Sequence, residues 1–302
     1  MKFQVFGIGS ASPQLDIHPS SFLVKLPNEY ILIDCGEGTQ YRLLENKIKH
    51  TKIRTICISH LHGDHYFGLV GLLSSLSLNR RTEPLRIIGP PALQQIIEMQ
   101  LMNSGSKMSF EITFIDTDAA KSEMLLDNAV FSIRTIPLTH RVPCTGFLIE
   151  EKQESRHLLA EKLPANFPIP YIKMLKNGKD VIDELTGKVY KFEEYTREGE
   201  PSKKLAYCSD TAYRPDIIPI IKNANLIYHE ATFTDELLER AAKTQHSTAS
   251  QAAEIAKEAN AKKLVIGHFS SRYKTFETHL AEAQAVFRDT FLAEEGLIYE
   301  VE

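Results

Sequence analysis

The chain has 302 residues, 43% hydrophobic and 25% charged, proportions that exclude a disordered or fibrous protein and supply apolar side chains for one large core or two modest ones. Its formal net charge of -4 gives no global attraction for a polyanion, so any nucleic-acid partner has to be held locally, by metals or a basic patch. Cys35, Cys57, Cys144 and Cys208 form no CxxC pair, which sets aside a zinc ribbon or redox motif and suggests a reducing compartment.

The opening MKFQVFGIGSASP carries an apolar stretch that breaks at glycine, too brief for a signal peptide. No window approaches the ~20 apolar residues of a membrane span, so a soluble, cytoplasmic protein with no membrane partner is expected. Runs rich in β-branched and aromatic residues predict strands over 3–6, 21–25 and 30–34. The next strand, 55–59, runs into a histidine-rich loop, after which Tyr66, Leu69, Val70, Leu72, Leu73 and Leu76 recur at helical spacing. A helix is therefore predicted from residue 64 onward.

Then follow a strand over 85–88, a helix over 91–101 with Pro91 in its first turn, and strands near 111–115, 130–136 and 146–150. From 151 to 202 the periodicity weakens and Pro, Gly and mixed charges accumulate, which predicts an inserted arm within a single domain spanning 1–302. Regular structure resumes with strands over 204–208 and 226–228, a helix over 247–260, a strand over 263–266 and a helix over 276–291. Alternating strands and helices predict an α/β architecture.

The densest chemistry is His60-Leu61-His62-Gly63-Asp64-His65, placed directly after an apolar strand. In extended backbone, side chains two apart point the same way, so His60 and His62 converge on one ion. Gly63 offers the backbone freedom for a reversal that aims Asp64 and His65 at a second. Imidazole and carboxylate suit zinc, with manganese or iron as alternatives. A pair of ions needs more donors, and His140, Asp210 and His268 each follow a predicted strand. Singly each is as readily a capping or core residue; jointly they predict strand ends that meet at one rim.

GIGSASP, DCGEGTQ at 34–40, HLHGDH, SDTAY at 209–213, HEATF at 229–233, HST at 246–248 and GHFSSRY at 267–273, in this order, resemble the metallo-β-lactamase superfamily and specifically the ribonuclease Z family. The resemblance implies a four-layer αββα sandwich holding two zinc ions, one on His60, His62 and His140 and the other on Asp64, His65 and His268, with Asp210 between them. It implies an endonuclease that removes the 3′ trailer of precursor tRNA and leaves a 3′-hydroxyl, working as a homodimer. Asp64 would serve as ligand and general base, and His246 as proton donor oriented by Glu230. Asp34 would hydrogen-bond ligand histidines. Ser270, Ser271 and Arg272 would contact substrate phosphate.

Two departures from the family pattern affect substrate handling. Pro13 is followed by Gln14, Leu15 and Asp16 rather than by the basic PxKxRN continuation, and the 151–202 stretch has no Gly-Pro dipeptide. Its most basic piece carries Lys173, Lys176 and Lys179, with acids at Asp180, Asp183 and Glu184 directly after. The rival readings are a diesterase for small or cyclic nucleotides using the same metal pair, and a metal-holding RNA-binding protein without turnover. Retention of both Asp64 and His246 opposes the second. A lactamase or thioesterase is not expected to show the HEATF, HST and HFSSRY set.

Overall fold

The computed structural model describes residues 1–302. In chain order its strands are β1 (Lys2–Gly7), β2 (Ser21–Lys25), β3 (Tyr30–Cys35), β4 (Ile53–Cys57), β5 (Leu85–Gly89), β6 (Ile112–Asp116), β7 (Met124–Asp127), β8 (Phe131–Pro137), β9 (Thr145–Glu151), the two-residue strands β10 (His157–Leu158), β11 (Val181–Ile182), β12 (Val189–Tyr190) and β13 (Thr196–Arg197), then β14 (Lys203–Cys208), β15 (Leu226–Glu230), β16 (Leu264–Gly267), β17 (Thr290–Leu292) and β18 (Ile298–Glu300). Two mixed sheets of seven strands result, ordered β18-β1-β2-β3-β4-β5-β6 and β17-β16-β15-β14-β9-β8-β7.

The helices are α1 (Thr39–Glu45), α2 (Gly63–Tyr66), α3 (Leu69–Leu78), α4 (Ala92–Asn103), α5 (Ile169–Lys176), α6 (Phe192–Tyr195), α7 (Ile218–Ile221), α8 (Leu238–Thr244), α9 (Ala249–Glu258) and α10 (Glu277–Val286). Helices α1, α3 and α4 cover the outer face of the first sheet, where Leu43, Leu69, Leu73, Leu93 and Ile97 pack on Leu23, Leu32, Ile56 and Ile87. On the opposite face of the same strands, Phe3, Phe22, Ile31 and Ile33 meet Ile133, Phe147, Tyr207 and Tyr228 of the second sheet. Strands covered on both sides read as continuous apolar runs, which is why residues 21–25 and 30–34 stand out in the sequence. Each such side chain buried stabilises by ~1.5–3 kcal/mol.

Helix α9 presents Ala249, Ala252, Ala253 and Ala256 to the second core, and these small residues let its backbone lie close to the sheet. Its start is set by a reciprocal cap: Thr248 Oγ1 accepts from Gln251 N–H at 3.3 Å while Gln251 Oε1 accepts from Thr248 N–H at 3.0 Å.

Three expectations change. The helix predicted from residue 64 is broken into α2 and α3 at Phe67 and Gly68, where Gly68 N–H donates to Cys35 O at 2.9 Å instead of to the carbonyl four residues back. The helix predicted over 276–291 ends at Val286; Phe287 is extended, and Thr290 to Leu292 form the parallel edge strand β17 beside β16. The 151–202 stretch is less irregular than its composition suggests. It carries α5, α6 and two small strand pairs around its own core of Leu175, Val181 and Tyr190. Its neck is closed where Glu154 N–H donates to Glu200 O at 3.0 Å, and an added Cβ on Gly199 would meet Glu154 O at 2.3 Å.

Candidate metal centre

The seven anticipated donors come together at one rim of the sandwich. His60, His62, Asp64 and His65 follow β4 of the first sheet; His140, Asp210 and His268 follow β8, β14 and β16 of the second. The ligand atoms of His60, His62, His140 and Asp210 lie within 4.8 Å of one another, as do those of Asp64, His65 and His268. Asp210 spans the two groups. Its Oδ2 is 3.7 Å from both His60 Nε2 and His140 Nε2, and its Oδ1 is 3.4 Å from His65 Nε2 and 3.2 Å from His268 Nε2.

The hydrogen-bond partners of the rings decide which nitrogen is left to bind. His65 Nδ1 donates to Asp34 Oδ2 at 2.8 Å, His60 Nδ1 to Ser59 Oγ at 3.0 Å, His140 Nδ1 to Gln245 O at 3.0 Å and His268 Nδ1 to Thr232 Oγ1 at 3.0 Å. Each bond leaves Nε2 as a lone pair facing the shared centre. His62 joins through Nδ1, 3.0 Å from His60 Nε2 and 3.2 Å from His140 Nε2. Three acceptor nitrogens this close cannot all satisfy one another, and His65 Nε2, His268 Nε2 and Asp210 Oδ1 are buried without a partner. These orphaned atoms, in an imidazole and carboxylate set, fit two divalent cations.

Asp34 lies beneath the cluster, bonded to His65. It is fully buried, and besides His65 its carboxylate accepts from Ser59 N–H at 2.8 Å, Ser59 Oγ at 3.0 Å and Tyr207 OH at 2.7 Å. Tyr207 reaches it from the second sheet. Both Asp34 (φ 55) and His268 (φ 61) occupy the left-handed region, an unfavourable conformation for non-glycine residues that the surrounding contacts hold in place.

Across from the ligands, His246 Nδ1 donates to Glu230 Oε1 at 2.8 Å. Glu230 is fully buried at the end of β15 and also accepts from Thr211 N–H at 2.9 Å, Thr232 N–H at 3.0 Å and Thr232 Oγ1 at 2.7 Å. Burial opposes charge on His246, but the attraction and hydrogen bond of Glu230 outweigh it and raise the imidazole to about 9. Burial likewise opposes the Asp64 carboxylate, yet His65 and His268 hold it well below the usual carboxylate range. His60, His62 and His140 are depressed chiefly by burial, which favours the neutral, ligating form. Burial pushes the Cys144 thiol upward, so Cys144, 3.6 Å from His60, supplies no thiolate.

Ser270, Ser271 and Arg272 do not gather as a unit. Ser270 is buried, its N–H donating to Thr232 O at 3.2 Å, whereas Ser271 and Arg272 lie on the surface. A cavity of about 540 Å³ opens beside the cluster, lined by Ser10, Glu37, His62, Asp64, Phe67 and Arg141 among others. Phe67 and Arg141 escaped the sequence reading; the available signal was adjacency, since Arg141 directly follows His140 and Phe67 lies two after His65. Gly63 also differs from its expected use. Its φ is not positive, so no left-handed backbone is used there; an added Cβ would instead meet the Phe67 ring at 2.3 Å.

Several known proteins are similar to this chain. A family model described as Anti-Pycsar protein Apyc1 matches residues 1–156, the half that contains His60 to His65 and His140. Ribonuclease Z of Cytophaga hutchinsonii is 46% identical over 298 residues, covering 98% of this chain and 95% of that protein. Ribonuclease Z of Bacteroides fragilis is 39% identical over 297 residues, covering 98% and 97%. Among solved structures, the short form of human tRNase Z superposes with a TM-score of 0.73 at 26% identity over 100% of both chains. The metallo-beta-lactamase fold protein YhfI of Bacillus subtilis superposes at 0.69 with 19% identity, covering 99% and 98%, and supports the fold alone. With near-complete coverage at this level of identity and the αββα layering described above, the chain belongs to the ribonuclease Z family of the metallo-β-lactamase fold.

Proposed function

We propose that this chain is the endoribonuclease that removes the 3′ trailer from precursor tRNA, cutting after the discriminator base and leaving a 3′-hydroxyl. The observation that carries the proposal is the facing of the seven donors by the buried His246–Glu230 pair in a chain 46% identical over 98% of its length to a ribonuclease Z. His60, His62 and His140 would hold one zinc ion and Asp64, His65 and His268 the other, with Asp210 shared. Such a pair supplies counter-charge for the phosphodiester and acidifies a water.

The protein's own side chains do the rest. An Asp64 carboxylate oxygen takes the proton of the attacking water, and its depressed pKa keeps it available as an acceptor. His246, charged and fixed by Glu230 through Nδ1, presents Nε2 to the departing 3′-oxygen and gives it a proton. Arg141, exposed at the cavity wall, adds positive charge beside the phosphate. The arm, with Lys173, Lys176 and Lys179, grips the tRNA body through backbone phosphates. We place the enzyme in the cytoplasm as a homodimer; no helix is long and apolar enough to cross a membrane.

The test is cleavage of precursor tRNA carrying a 3′ trailer, with and without an encoded CCA, by protein loaded with zinc. Product ending in a 3′-hydroxyl at the discriminator, lost in Asp64→Ala, is the expected result. Turnover of bis-aryl phosphates with no action on precursor tRNA would move the assignment to a small-nucleotide diesterase.

A further inference from the structure

Phe67 is 56% exposed, yet its position is tightly defined. Its N–H donates to Gly63 O at 2.9 Å, and its ring lies over Gly63, where an added Cβ would come within 2.3 to 2.8 Å of three ring carbons. The edge of Tyr66 flanks it, with ring centroids 4.9 Å apart. Immediately behind, Gly68 N–H donates to Cys35 O at 2.9 Å, which fixes the backbone. The free side of this ring belongs to the 540 Å³ cavity shared with His62, Asp64, Glu37 and Arg141. A rigid apolar plane left in water beside the reacting centre contributes little to folding. Its face suits a flat partner, because stacking on a preorganised aromatic loses little conformational entropy and is worth ~5- to 100-fold per nucleobase.

We propose that Phe67 is the stacking platform for the base of the first trailer nucleotide, on the 3′ side of the scissile phosphate. The assignment rests on the reading in Proposed function. His246 stands by the departing 3′-oxygen of the tRNA body, and neither His246 nor Glu230 lines the cavity that holds Phe67. The nucleoside beyond the phosphate from His246 therefore enters that cavity. Its volume lies in the range of ordinary small-molecule sites, and the polar side chains of Ser12, Gln14 and Glu37 on the walls offer partners to the base edge and ribose.

The test uses full-length zinc-loaded protein and two precursor tRNAs identical except that the first trailer nucleotide is intact or abasic. Wild type is expected to lose ~10-fold or more in kcat/KM on the abasic substrate. Phe67→Leu should lose a similar factor on the intact substrate and be indifferent to removal of the base, whereas Phe67→Trp should keep the dependence. A second readout is the fluorescence of 2-aminopurine at that position, quenched on rapid mixing with wild type or Phe67→Trp but not with Phe67→Leu. If Phe67→Leu discriminates between the two substrates as strongly as wild type, or if quenching by Phe67 appears only with 2-aminopurine at the discriminator, the assignment is wrong. Wild type that cuts neither precursor would overturn the tRNA reading itself, and this assignment with it; wild type that cuts both equally would overturn this assignment alone.

Discussion

Thr232 Oγ1 accepts from His268 Nδ1 at 3.0 Å while donating to Glu230 Oε2 at 2.7 Å. One hydroxyl thereby joins His268 of the donor cluster to the carboxylate that charges His246, so the proposed ligand cluster and the proposed proton donor are set by a common element. Replacing Thr232 by Val keeps the shape and removes the bridge. Zinc affinity, measured by competition with a chromophoric chelator, should fall by about 10- to 100-fold, with turnover on precursor tRNA falling alongside.

Glu230→Gln tests the donor side. The amide keeps much of the volume but removes the charge that raises His246, and it leaves the N–H groups of Thr211 and Thr232 with fewer acceptor sites. Turnover should drop by about 100-fold or more, the scale of a lost general acid, with KM for precursor tRNA within about threefold of wild type. An equal rise in KM would point to a binding role for this pair.

His279, which is not one of the seven donors, offers a pH test through stability. It is fully buried on α10, with ring centroids 5.0 Å from Phe269 and 4.5 Å from Tyr273, and burial lowers it from 6.5 to about 4. Above pH ~6.5 it is neutral folded and unfolded and has no effect on stability. As pH falls from ~6.5 toward ~4, the unfolded chain takes up a proton that the folded chain refuses, so stability declines by up to about 3 kcal/mol. In urea titrations, His279→Phe should lose stability less steeply than wild type across that window.

Gly68→Ala probes the packing beneath the histidine-rich segment 60–65. The new methyl would meet a backbone oxygen, Gly36 O, at 2.0 Å, and no side chain can swing aside to relieve it. Unfolding stability should fall by about 3 kcal/mol, seen as a lower urea midpoint with an unchanged slope.

The clustering of the seven side chains is legible because they share a local signature: an apolar strand followed within a few residues by a histidine or aspartate. Nothing comparable marks Thr232, whose bond to His268 joins residues 36 apart in sequence. The sequence suggests backbone freedom at Gly63, whereas its φ is not positive and the Phe67 ring lies over it, a placement set by another side chain's rotamer. The 276–291 helix was overextended because Phe287 and Phe291 continue its spacing, while in the fold Thr290 is buried and Phe291 is 44% exposed, the alternation of an edge strand. The arm's strands of two residues are too short to show any period, and their stability comes from the aromatic packing of Phe167, Tyr190 and Tyr195.

The donors are drawn from both layers of the sandwich, four from the loop after β4 and three from loops after β8, β14 and β16. Under the reading proposed above, cations seated there would act as a rivet through the open rim, and the affinity of the site would count toward cohesion of the two sheets. Catalytic competence and mechanical integrity at that end of the molecule would then share one fastening, and stripping it is expected to unclasp the rim ahead of the neck of the arm.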